Sequence, residues 1–152
     1  MKMNELNADV ETKALEELRL QDLIKEVEND KELYVYEHKL VEMIFKTHWK
    51  FREIFKRKLM GETFKERFYH KKINEKQKEW LLKMAEGKNS IVRMILDNMT
   101  HKHSWILEKC YLDKNTMDNT LWYEQHFSKT TFYKVKREAV KEFVSYYTGI
   151  FN

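Results

Sequence analysis

Residues that interrupt helices are almost missing from this chain of 152 residues. It has no proline and only three glycines, Gly61, Gly87 and Gly149. Because proline and glycine are the poorest helix formers, their scarcity predicts long helices. No stretch shows a convincing alternation of apolar and polar side chains, which would indicate strands. The sequence therefore predicts an all-α fold.

Cysteine is nearly absent as well. The single Cys110 excludes an intramolecular disulfide framework and a multi-cysteine zinc site, and its neighbours Ile106 and Leu107 indicate a packed thiol. His101 and His103 would point to different faces of a helix, which makes a poor metal clamp. The glycines are too scattered to form a phosphate-binding loop. We therefore expect no enzymatic activity, no metal and no cofactor.

A long hydrophobic run is also missing. No apolar segment is long enough to cross a bilayer, and no secretory leader precedes the first acidic helix. We therefore expect a cytoplasmic protein with no membrane partner. Hydrophobic residues make up 42% of the chain, which is enough to bury a core. The formal charge of +4 is a mild basic balance, which suggests a nucleic-acid partner.

Charge is unevenly distributed along the chain. The first thirty or so residues are mainly acidic, whereas residues 46–72 are mainly basic. The basic segment can extend a contact along a DNA backbone. It can also be a solvated helix face, or a face on which the acidic segment packs, and these two interpretations are slightly favoured.

Capping and breaking residues divide the chain into predicted helices. A first helix ends near Asn29 and Asp30, and a long helix over about 32–60 is ended by Gly61. A short aromatic segment at 64–69 precedes a helix over about 74–86, and Ser90 caps a further helix that reaches Met99. The break at 87–89 predicts two parts. Residues 1–88 form a helical region for self-association or partner contact, and residues 89–152 form a separate module.

The last helix has two distinct faces. Ser128 is a typical N-cap residue, whose hydroxyl accepts from the free amides of the first turn. Apolar side chains recur at steps of three and four, as they do on the buried face of a helix: Phe132, Val135, Ala139, Phe143 and Tyr146. Hydroxyl and basic side chains recur at the same steps on another face: Thr130, Lys134, Arg137 and Lys141. Periodicity alone fits a DNA-recognition helix and a solvated amphipathic helix about equally well.

Two shorter segments precede this helix. Residues 119–126 form a short segment that Asp118 or Asn119 can cap, only a few residues before Ser128. Residues 105–113 form a supporting helix that leads into a loop at Asp113. The order of the three predicts a trihelical helix-turn-helix module at the carboxyl end.

These segments resemble a known family. The runs Ile106–Asp113, Phe127–Lys134 and Lys136–Phe143 are similar to the phage ArpU/RinA-type transcriptional regulators. The resemblance implies a sigma-factor-like helix-turn-helix that activates late genes for packaging and lysis in a phage or related mobile element. It also implies contact with promoter DNA and host RNA polymerase, in the host cytoplasm. Family members usually have a small residue, often glycine, in the turn before the serine, where this chain has His126. They usually have an aliphatic residue just ahead of it, where this chain has Gln125.

The predicted DNA-binding residues divide by role. Ser128, Thr130 and Thr131 contact phosphates or set the start of the helix, and Lys129, Lys134 and Arg137 contact bases or backbone. Tyr133 lies against a sugar or a thymine methyl, or is partly buried, and Lys141 reaches only phosphate. Two alternatives stay open. One is a packaging or assembly protein of terminase-small-subunit type that holds DNA within a homo-oligomer, and the other is a module whose basic face binds an acidic protein.

Overall fold

The structure is a computed structural model that describes the backbone of residues 2–151 and the side chains of residues 10–14, 22 and 30–150. That backbone contains helices and no strand, which confirms the predicted all-α fold. The α-helices are α1 (Lys2–Tyr69), α2 (Glu75–Glu86), α3 (Ile91–Asn98), α4 (His101–Tyr111) and α5 (Lys129–Phe151). A 3₁₀ turn, Trp122–Gln125, lies between α4 and α5. The chain divides into two compact units, Met1–Tyr36 and Glu37–Asn152.

α1 is longer than the sequence predicts. The predicted break near Asn29 and Asp30 is wrong, because the helix continues through both residues. The predicted end at Gly61 is also wrong, and the aromatic segment at 64–69 forms the last turns of the same helix. Asparagine, aspartate and glycine weaken a helix but still donate their backbone hydrogen bonds, and only proline lacks that donor. Their presence therefore lowers helix stability without ending α1.

α2 and α3 begin and end close to where the sequence places them. Asn74 caps α2 by accepting from the Lys76 amide at 3.0 Å, and Ser90 caps α3 by accepting from the Arg93 amide at 3.0 Å. Gly87 ends α2 in the left-handed conformation, with φ of 69°. The break predicted at 87–89 is thus confirmed as a turn. The unit Glu37–Asn152 contains this turn, and the functional division at residue 88 stays a prediction.

The unit Glu37–Asn152 closes around an apolar core. The Phe45 ring of α1 lies 4.9 Å from the Tyr111 ring of α4 and 5.4 Å from the Phe143 ring of α5. All five helices of the described chain contribute buried side chains, which include Val41, Leu81, Val92, Ile95, Leu96, Ile106, Leu107 and Val140. No helix in this described part has both the length and the apolar character that a bilayer crossing requires.

The segment before α5 is shorter than predicted. In place of a helix over residues 119–126, the chain forms only the four-residue 3₁₀ turn. Aromatic contacts hold this turn in place. Tyr123 stacks on Phe132 with ring centroids 4.0 Å apart, and Trp122 lies 5.4 Å from Trp105 of α4. Burial of these large rings stabilises a turn that has few backbone hydrogen bonds of its own.

Candidate nucleic-acid interface

The start of α5 has the predicted cap. The Ser128 hydroxyl accepts from the Thr131 amide at 3.3 Å and donates to the Thr131 hydroxyl at 2.9 Å. The Ser128 carbonyl accepts from the Phe132 amide at 2.9 Å. These bonds start a helix of 23 residues, and its positive end favours an anion near the first turn.

The inner face of α5 is packed into the core. Phe132, Val135, Ala139 and Phe143 are all buried, as the apolar periodicity predicts. Tyr146 is the exception, because 43% of its surface is exposed and its hydroxyl donates to the Asn98 carbonyl at 3.1 Å. Packing therefore fixes the rotation of α5 about its axis.

That rotation leaves most of the predicted DNA-binding residues at the surface. Seven of the eight are exposed: Ser128, Lys129, Thr130, Thr131, Tyr133, Lys134 and Arg137. Lys141 is half-buried. Thr130, Lys134, Arg137 and Lys141 follow one another at steps of three and four, so they line one side of the helix. The structure thus places these four residues on one side of α5, while Ser128, Lys129, Thr131 and Tyr133 are exposed around its first turns.

One edge of this face carries acidic groups. Glu142 accepts from the Thr100 amide and contacts His103 Nδ1, both at 2.5 Å, and His103 Nε2 lies 3.5 Å from Glu138. Burial alone would raise the pKa of Glu142, but the hydrogen bonds from Thr100 and His103 outweigh it and hold that pKa below its ordinary value. Glu142 is therefore an anion that fastens the start of α4 to α5.

The other edge carries cations and aromatic rings. Lys136 Nζ lies 5.6 Å from the Tyr111 ring centroid, and the Tyr111 carbonyl accepts from Trp49 Nε1 at 2.8 Å. Arg52 and Lys114 both lie over the Trp49 ring, at 4.6 and 5.9 Å from its centroid. None of these residues is among the DNA-binding residues that the sequence predicts. The spacing of Trp49 and Arg52 within one helix is a signal for that pair, whereas nothing in the sequence links them to Lys114 or Lys136.

The turn before α5 needs no glycine. His126 has φ of −119° and ψ of −31°. ArpU/RinA-type regulators usually have a small residue, often glycine, at this place in the turn. The His126 backbone is in a region open to any residue. The His126 ring packs 5.2 Å from the Trp105 ring, which gives this histidine a place in the aromatic cluster. The missing glycine is thus compatible with the turn that the chain adopts.

Cys110 packs against the buried cluster that includes Tyr123 and Phe132. Burial raises the pKa of its thiol above the ordinary value, against the opposing effects of the Lys136 charge and a hydrogen bond with Trp122. The thiolate, which is the reactive form, is therefore disfavoured. Among the side chains that the structure describes, no group of three His, Cys, Asp or Glu is placed to hold a metal ion.

Comparisons with known proteins place the chain in one family. No curated protein and no solved structure matches it. A family model does match, and it covers α2, α3, α4, the 3₁₀ turn and most of α5, together with the end of α1. The match spans residues 67–144, just over half of the chain, and the chain therefore belongs to the family described as protein of unknown function, DUF1492.

Proposed function

We propose that this protein binds double-stranded DNA sequence-specifically and activates late packaging or lysis genes of a phage or related mobile element. The observation that carries the proposal is the division of α5 into two faces. Its apolar face is locked in the core, while hydroxyl and basic side chains share the exposed face. A helix fixed in this way presents its polar side to a groove at little conformational cost.

The chemistry of the exposed face suits duplex DNA. In the proposed complex, the first turn of α5 enters the major groove, and the Ser128 and Thr130 hydroxyls approach a phosphate near the positive end of the helix. Lys134 and Arg137 lie one and two turns further along and reach base edges, where arginine pairs best with guanine. Lys141 is half-buried and reaches phosphate alone.

The surrounding elements support the same function. α4, the 3₁₀ turn and α5 follow the order of a trihelical DNA-binding module, although its middle element is a single turn. The similarity to ArpU/RinA-type regulators points to late-gene control and to contact with host RNA polymerase in the host cytoplasm. The family match itself carries no function, so the proposal rests on α5 and on this similarity.

Selection from a random duplex library tests the proposal. Wild-type protein is expected to enrich a defined motif, and Lys134→Ala and Arg137→Ala are each expected to weaken binding to it about 5- to 100-fold. Lys88→Ala is the matched control, because Lys88 is an exposed lysine at the end of α2 that pairs with Glu86 at 3.1 Å. Helicity by circular dichroism should be unchanged in all three variants. If no motif is enriched, or if both α5 variants bind it as wild type does, the proposal fails.

A second function is favoured by a separate observation. α1 exposes several large apolar side chains near its end, including Met60 at 72%, Phe64 at 51% and Phe68 at 61%. Exposed apolar groups in a row indicate a protein contact, as an assembly protein that holds DNA within an oligomer would need. Light scattering separates the two functions. A stable ring or higher multimer with equal affinity for selected and random duplexes supports the assembly protein.

A further inference from the structure

Three cations lie on two aromatic rings beside α5. Lys136 is placed over Tyr111, and Lys114 and Arg52 are placed over Trp49. Trp49 Nε1 also donates a hydrogen bond to the Tyr111 backbone carbonyl, so the two aromatic residues are in contact. We call these three cations the cation stripe. It runs from α5 across the end of α4 to α1.

The charge of the cation stripe is not neutralised by nearby carboxylates. Among the ion pairs of the side chains that the structure describes, none involves Arg52, Lys114 or Lys136, and Arg52 Nε donates instead to the Ala85 backbone carbonyl at 3.2 Å. The nearest acid in sequence, Asp113, is already engaged by Lys109 Nζ at 2.8 Å. Two other lysines of α1, Lys56 and Lys65, do pair with glutamates of their own helix. The cation stripe differs from them in this respect.

Burial and neighbouring cations both act on two histidines of this region. Burial, and then the charges of Arg52 and Arg93, lower the pKa of His48 to about 4. Burial, and then the charge of Lys136, lower the pKa of His38, while Glu42 opposes the shift. Both rings are therefore held neutral near pH 7. Like charges held close together repel one another, and an anion placed among them relieves that repulsion.

The position of the cation stripe is related to the DNA-binding face. Lys136 is half-buried and lies one turn after the exposed Tyr133, with the buried Ala139 three residues further on, so it lies where the exposed side of α5 meets the packed side. The opposite edge carries Glu138 and Glu142, which repel phosphate. A helix in the major groove has a phosphodiester strand on each side of it. The charges favour close contact with the strand on the Lys136 side.

We propose that Arg52, Lys114 and Lys136 bind the phosphodiester backbone of duplex DNA beside the groove that α5 enters. This inference rests on the proposed function, because it takes α5 as the helix in the groove. The aromatic rings hold the long side chains in place, so that less conformational freedom is lost when a phosphate binds. The contacts are to phosphate, and they strengthen binding to any sequence.

Salt dependence of binding tests the proposal. The variants are Lys114→Gln, Lys136→Gln and the double variant, and the ligand is a random-sequence duplex of about 25 base pairs. Each lysine that contacts a phosphate contributes about 0.9 to the slope of log K against log salt. We therefore expect the slope to become shallower by about 0.9 in each single variant and by about 1.8 in the double variant. Lys76→Gln, at an exposed lysine of α2, should keep the wild-type slope.

Chemical labelling of lysine provides an independent readout. In wild-type protein, the random duplex should protect Lys114 and Lys136 from an amine-reactive reagent, measured by mass spectrometry, and should leave Lys76 as reactive as before. Thermal unfolding of each variant checks that the fold is intact. Glutamine retains most of the aliphatic stem, so the packing against the rings is largely preserved.

The possible outcomes separate this proposal from the function it rests on. Unchanged slopes together with unprotected Lys114 and Lys136 overturn the role of the cation stripe. If Lys134→Ala and Arg137→Ala still weaken binding to the selected motif in that case, the proposed function stands. Shallower slopes without any selected motif show a phosphate-binding stripe on a protein that does not read sequence. Absence of DNA binding by the wild type overturns both.

Discussion

Gly87 follows the end of α2, next to side chains of α1. Its backbone conformation and its close neighbours both favour a residue without a side chain. Its φ of 69° is in the left-handed region, where a Cβ atom costs free energy. A Cβ placed there would also lie 3.0 Å from Arg52 Cδ and 3.0 Å from His48 Cε1. Glycine at this position thus allows the end of α2 to lie close to His48 and to Arg52, which is one of the three cations of the cation stripe.

Replacement of Gly87 should therefore destabilise the fold. We expect Gly87→Ala to lower the free energy of unfolding by about 1–2 kcal/mol, most of it from the left-handed backbone. Urea denaturation measures the change. An unaltered midpoint would show that this turn relaxes to accept a side chain.

His48 should make stability depend on pH. Its pKa in the folded chain is about 4, below the ordinary 6.5, because burial and the charges of Arg52 and Arg93 disfavour the protonated ring. The unfolded chain therefore binds a proton that the folded chain does not between these values, and stability falls as pH falls through this window. Because the ring is partly exposed, screening limits the effect to about 1–2 kcal/mol.

The measurement compares wild type with His48→Gln. Denaturation of both proteins is followed from about pH 7 down to about pH 4.5. The wild type should lose more stability than the variant over this range, since glutamine does not titrate. Parallel curves would remove His48 as the source of the dependence.

Among the elements, α5 has one face packed in the core, and a single N-cap residue sets where it begins. The cap at Ser128 is local, and the aromatic cluster around Trp105, Trp122 and Phe132 fixes the segment that leads into it. The 3₁₀ turn is too short to be stable without that cluster. The direction of α5 is thus set by ring packing, while its first residue is set by the cap.

Removal of the cap should cost stability without changing the fold. Ser128→Ala is expected to lower the free energy of unfolding by about 1 kcal/mol, because the Thr131 amide loses its acceptor. Ser128→Asp should restore most of this loss, since aspartate is an equally good cap. Thermal unfolding of the pair provides the comparison, and equal losses in both variants would exclude capping as the cause.

A substitution in α1 should stabilise the protein rather than destabilise it. Gly61 lies inside this helix, and a Cβ added there meets nothing within 4 Å. We expect Gly61→Ala to stabilise the protein by about 0.5–1 kcal/mol, because glycine loses more backbone freedom in a helix than alanine does. Thermal unfolding would show the midpoint rising. A lower midpoint would indicate that the helix needs glycine at this position for another contact.

For the whole molecule, charge is divided between the two units. Residues 1–36 contain ten acidic and five basic side chains, so the remaining residues 37–152 have a formal charge of +9 compared with +4 for the full chain. The buried apolar side chains of the described residues run from Val41 to Phe143, all within the second unit. This unit therefore holds the excess positive charge, together with the buried apolar side chains that the structure describes.

A fragment of residues 37–152 tests the effect of that division. It should unfold cooperatively and bind a random duplex more tightly than the full chain at low salt, because the acidic segment is removed. The difference should shrink as salt is raised and charges are screened. Fluorescence anisotropy of a labelled duplex measures both affinities. Weaker binding by the fragment at every salt concentration would contradict the expectation.

The sequence alone determined the features that depend on neighbouring residues. Asn74, Gly87, Ser90 and Ser128 act as caps because each bond joins residues within one turn. The two faces of α5 are readable for the same reason, since helical periodicity relates residues three and four apart. The whole of the predicted DNA-binding set lies on one short segment, and the placement of Thr130, Lys134, Arg137 and Lys141 on one side of α5 followed from that periodicity.

Only the tertiary structure decided what joins distant parts of the chain. α1 continues through Asp30 and Gly61. Both residues form helices poorly, but this local preference is weak and the rest of the fold can override it. The segment before α5 became a single 3₁₀ turn because Tyr123 and Phe132 stack. Trp49 contacts Lys114 and Tyr111, and Tyr111 in turn contacts Lys136, although these residues are far apart in sequence. No local pattern encodes such contacts, because they arise from the packing of helices into one core.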